Sequence, residues 1–135
     1  FVISDGKVQL GYCTDTGKVS HLIARRLAGC DALILEFNHN LEMLKNGPYP
    51  PSLQQRVRSS RGHLCNEDAA AFLAQLVSDH LDLVVLAHLS ETNNTPLLAE
   101  HAARQVVAEK ESRTRLLVGT QDRPTALLTL STRGR

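Results

Sequence analysis

Cysteine pairing is missing: Cys13, Cys30 and Cys65 are the only cysteines, odd in number and without a C-x-x-C pair. That excludes a disulfide framework and a cysteine-based zinc site, and it fits a reduced, cytoplasmic setting. No apolar run approaches the ~18 residues of a membrane helix, and no stretch has the charged-then-apolar form of a leader, so no membrane partner is expected. Charge of one sign is missing too. With a formal net charge of +1 the chain has no overall field to hold nucleic acid, so any such binding must come from a local patch. Internal repeats and low-complexity segments are absent. So is a phosphate loop, because Gly11 to Lys18 places five residues between its glycines and Val19 stands where Ser or Thr is required.

What is present is one globular domain's worth of sequence: 135 residues, 42% hydrophobic and 21% charged. Asp5-Gly6 marks a turn between Val2-Ile3 and Val8-Gln9-Leu10, which predicts an N-terminal hairpin. Val19, Leu22, Ile23 and Leu27 recur at helical spacing, with Thr16 as cap and Gly29 as stop. Ala32 to Leu35 is a buried-strand run that hands over to Glu36. Leu41 to Leu44 predicts a brief helix closed by Gly47-Pro48, and Ser52-Leu53-Gln54-Gln55 has the pattern of a capping box opening another. Asn66 is expected to cap a helix whose stripe is Ala69, Phe72, Leu73, Leu76 and Val77. A Leu/Val strand from Leu81 to Ala87 ends at His88, Thr95-Pro96 opens a further helix, and Arg115 to Val118 and Ala126 to Leu130 complete the strands. Ser131 to Arg135 is expected to be a frayed tail.

Strands alternating with helices give an α/β layer structure. Asp15, Glu36 and His88 each follow the C-terminal end of a predicted strand, the edge of an α/β sheet where ligands bind. Each has an ordinary alternative: Asp15 as an Asx-turn or helix cap, His88 as a strand-end residue bonded to backbone, His63 as a loop histidine that positions the next helix. Arg56, Arg58 and Arg61 form either a solvated face or a patch for a nucleic-acid backbone.

Four segments carry a resemblance as a set: Thr14-Asp15-Thr16-Gly17, Glu36-Phe37-Asn38-His39-Asn40, Gly62-His63-Leu64-Cys65-Asn66, and His88-Leu89-Ser90 with Asn93-Asn94 beyond it. They resemble the C-terminal half of a metallo-β-lactamase-fold hydrolase, in the branch of single-domain metal-dependent hydrolases near ribonuclease Z. That branch usually reads Glu-Ser-Asn-His-Asp and Gly-His-Leu-Ser-Asn at the second and third segments, so Phe37, Asn40 and Cys65 are departures.

The resemblance implies half of an αββα sandwich, a mixed sheet with covering helices. It implies that Asp15 bridges two divalent metal ions, zinc or manganese, and that His88 is the last metal ligand. His63 becomes a catalytic residue for substrate or proton transfer, oriented by Glu36. Asn38, His39, Arg56, Arg58 and Arg61 become substrate contacts. The implied activity is hydrolysis of a phosphodiester, most readily in nucleic acid, by a two-metal-activated water. Ester, thioester or lactone hydrolysis on the same scaffold stands as an alternative, and so does a non-catalytic half-domain that pairs its sheet edge with another copy or a partner. The family's H-x-H-x-D-H motif occurs nowhere in these residues, and Phe1 falls inside a predicted strand. Residues 1–135 are therefore expected to form a partial domain whose missing N-terminal half is its natural partner, and the chain alone is expected to bind metal poorly and to be inactive.

Overall fold

The computed structural model describes residues 1–130; the segment Ser131 to Arg135 lies outside the described residues. The chain begins with a short hairpin, β1 (Val2–Ser4) and β2 (Gln9–Cys13), whose turn is held by Asp5 Oδ1 accepting from the amides of Lys7 and Val8. There follow α1 (His21–Leu27), β3 (Ala32–Glu36), α2 (Leu41–Asn46), α3 (Pro51–Arg58), α4 (Asn66–Leu76), β4 (Leu83–Ala87), α5 (Pro96–Glu109) and β5 (Arg115–Val118).

The strands lie in chain order, β1 antiparallel to β2 and the other neighbours parallel, so the sheet is mixed as expected. Parallel neighbours need a crossover, and crossovers of one hand that always step in the same direction leave their helices on the same face. Accordingly α1, α4 and α5 pack together over one face, where Leu33, Leu35, Val84 and Leu86 of the sheet meet Leu27, Phe72, Leu73, Leu76, Ala99 and Ala103. Leu73 has no exposed surface, so truncating it to Ala would cost roughly 2–5 kcal/mol. On the opposite face the paired residues Tyr12, Ile34, Val85 and Leu117 form a row that stays partly exposed.

The helices and the strands up to β5 match the sequence reading, but three of the caps do not. Ser20, not Thr16, caps α1, because the Thr16 hydroxyl is engaged by the backbone of Lys18. The Ser52 capping box does not form: Pro51 is already helical, Pro50 takes the cap position, and Gln54 bonds the Tyr49 carbonyl. Cys65 caps α4 through Sγ, while the side chain of Asn66 is consumed by a reciprocal pair with Asn94. The strand expected over Ala126 to Leu130 is absent. Gly119 donates to Leu86 just beyond the last ladder pair, Pro124 has no N–H to extend pairing, and Leu127 is 97% exposed.

Candidate metal centre

Glu36 ends β3 with no exposed surface, and its carboxylate takes four bonds from three segments of the site. Oε1 accepts from Nδ1 of His63 at 2.7 Å and from Nδ1 of His88 at 2.6 Å. Oε2 accepts from the backbone N–H of Thr16 and of Leu64, both at 3.3 Å. The loop after β2, the loop before α4 and the loop after β4 are thereby tied to one buried anion whose lone pairs are all used. An imidazole that gives its Nδ1 proton to a carboxylate presents the Nε2 lone pair on the far side, which is the arrangement found behind metal-bound histidines.

The Nε2 of His88 turns toward Asp15. Asp15 Oδ1 lies 3.7 Å from His88 Nε2, and the two imidazoles meet edge-on with centroids 5.1 Å apart. One ligand atom each from Asp15, His63 and His88 falls within 4.8 Å of the others, the one such group of three among the described residues. A carboxylate with two neutral imidazoles is a donor set suited to a divalent transition metal, so these residues fit one ion. The backbone is shaped to this end: Asp15 and His88 adopt left-handed conformations, φ 59° and 56°, just past the ends of β2 and β4. Non-glycine residues seldom sit there, and such strain concentrates at functional sites. Among the described residues Asp15 caps no helix and accepts from no backbone N–H of an Asx-turn; its Oδ2 accepts from the Thr14 hydroxyl.

Segment 36–40 aligns the other two loops. The Phe37 amide bonds the Ala87 carbonyl, the Asn38 amide bonds Leu64, and Asn66 donates back to His39. Asn38 Nδ2 holds the His88 carbonyl, and Asn94 Nδ2 holds that of Phe37. A second tie comes from glycine. A Cβ on Gly17 would stand 2.0 Å from the Ser59 carbonyl oxygen, and one on Gly62 would stand 2.1 Å from that of Val57. The backbone of the Asp15 loop thus lies directly on the backbone leading to His63.

Asp15, Glu36, His63 and His88 are brought together; the expected substrate contacts divide. Asn38, Arg56 and Arg61 line a cleft beside His63 and His88, whereas Arg58 is exposed and does not line it. His39 is 1% exposed, so it has no surface for a substrate. Burial, reinforced by the nearby His63, holds its pKa below the usual histidine value, and its Nδ1 meets Asn38 Oδ1. His63 within ligand distance of Asp15 and His88 was not foreseen, because its partners lie 48 and 25 positions away in the chain. Burial also pushes the Cys65 thiol up to about 12, so it serves as an unionised helix cap and not as a nucleophile.

No protein-family profile matches the chain. It is 43% identical over 102 residues to exodeoxyribonuclease YycJ of Bacillus anthracis, an alignment covering 76% of this chain and 39% of that protein. It is 40% identical over 86 residues to exodeoxyribonuclease WalJ of Streptococcus pneumoniae, covering 64% of this chain and 32% of that one. The aligned part of the chain thus spans well under half the length of these relatives. Among solved structures it resembles Zn(2+)-bound PqqB from Methylobacterium extorquens, with a TM-score of 0.51 and 22% identity over 87% of this chain and 37% of that chain. At that identity the likeness shows a shared fold alone.

Proposed function

From a chain that carries the metallo-β-lactamase fold, we propose that the whole protein is a metal-dependent hydrolase acting on the phosphodiester bonds of DNA. The observation that carries this reading is the double hydrogen bond from His63 and His88 to buried Glu36, which gathers the two imidazoles beside Asp15. The names of the relatives, both exodeoxyribonucleases, support the substrate.

Asp15 and His88 would hold metal, zinc or manganese, and a carboxylate with two oxygens suits a site of two ions. These two residues are too few for two ions, so the remaining ligands would come from residues beyond this chain. When bound, the ions supply an activated water and polarise a phosphoryl oxygen. His63, aimed by Glu36 and without a partner on Nε2 among the described residues, would as the imidazolium donate its Nε2–H to a phosphate oxygen and deliver that proton to the leaving oxygen. Arg56 and Arg61 neutralise the neighbouring phosphates.

The test uses the whole protein and end-labelled linear DNA. His63→Gln is expected to lower turnover by roughly 10²–10⁴-fold with metal content unchanged. Full turnover in that variant overturns the role of His63. A metal-loaded wild type that leaves DNA intact and cleaves a thioester or lactone overturns the substrate.

A further inference from the structure

Beside the two imidazoles opens a cleft of about 450 Å³. One wall comes from α3 and the segment before it: Leu53 and Val57, four residues apart and so on one side of the helix, with Tyr49 beside them. These side chains are half-buried and leave an apolar surface facing inward. Arg56 and Arg61 line the same cleft, and neither forms an ion pair among the described residues. The opposite wall is the loop after His88, from Leu89 to Asn93.

Two cations and an apolar wall with an aromatic ring are together what a nucleoside phosphate requires. The volume is that of a small-ligand site, which matches a single nucleotide with its base unpaired. We propose that this cleft is the subsite for the nucleotide at a strand end: Tyr49, Leu53 and Val57 contact its base and sugar, and Arg56 and Arg61 its phosphate. The proposal rests on the DNA-hydrolase reading and adds where the terminal nucleotide sits. It also gives a reason for cleavage at ends, since a base must leave its stack to enter, and a frayed end releases one most cheaply.

The test is calorimetric titration of the zinc-loaded whole protein with 2′-deoxyadenosine 5′-monophosphate and, separately, with inorganic phosphate. The mononucleotide is expected to bind more tightly than phosphate. Leu53→Trp, which fills the cleft from its helical wall, is expected to weaken the mononucleotide by ~10-fold and leave phosphate and zinc binding unchanged. Tyr49→Ala, which adds no bulk, is expected to weaken the mononucleotide in the same selective way. Equal binding of the two ligands, or mononucleotide affinity unchanged in both variants, overturns the subsite while the hydrolase reading stands. A zinc-loaded protein that binds neither ligand overturns both.

Discussion

Glu36 concentrates on one side chain what the site needs from its surroundings. A carboxylate without exposed surface is costly unless its lone pairs are taken, and here four donors from three loops take them. Replacing it by glutamine keeps the shape but changes the bookkeeping of protons. The amide has one accepting oxygen: placed at Oε1 it leaves an NH2 facing the N–H groups of Thr16 and Leu64, and placed at Oε2 it takes the acceptor from both imidazoles. Glu36→Gln is therefore expected to weaken zinc binding by ~10–100-fold, read by competition with a chromophoric chelator, with the helical signal retained. Unchanged zinc affinity would mean that Glu36 orients nothing. This pairing was legible in the sequence only through family resemblance, since nothing local tells a carboxylate at residue 36 which histidines it will meet. His39 shows the opposite outcome: the same segment that delivers Glu36 to the site turns His39 inward, and no pattern after the strand's end reveals that.

Elements were more readable than their ends. Periodicity located the helices and four parallel strands because burial on one face imposes it, and the sheet order then follows from short same-handed crossovers. Caps were misread where a tertiary partner claimed the expected side chain, as Asn94 claims Asn66 and the Lys18 backbone claims Thr16. The contact between the Gly17 loop and residues 59–62 was illegible for a similar reason, because glycine's use here is the space it leaves for a distant backbone. Gly17→Ala places a methyl group on the Ser59 carbonyl, and the loops must separate. The expected result is about 1–3 kcal/mol of destabilisation in denaturant titration together with weaker zinc binding, because Asp15 moves with the loop. Normal stability and normal zinc affinity would mean that the two loops are positioned independently.

At the scale of the molecule, the helices protect one face of the sheet and leave the row Tyr12, Ile34, Val85 and Leu117 partly open on the other. The site lies at the C-terminal ends of β2, β3 and β4, as the distribution of polar residues along the sequence indicated. Three donors are gathered there, and if the whole protein acts on DNA as proposed, a net charge of +1 on this chain leaves its share of the attraction to the arginines of the cleft. Elemental analysis of the whole protein purified without chelator, wild type beside an Asp15→Asn, His88→Gln double variant, tests the centre of this picture. The wild type is expected to carry two ions per chain and the double variant at least one fewer. Equal metal content in the two proteins would contradict a metal centre built on Asp15 and His88.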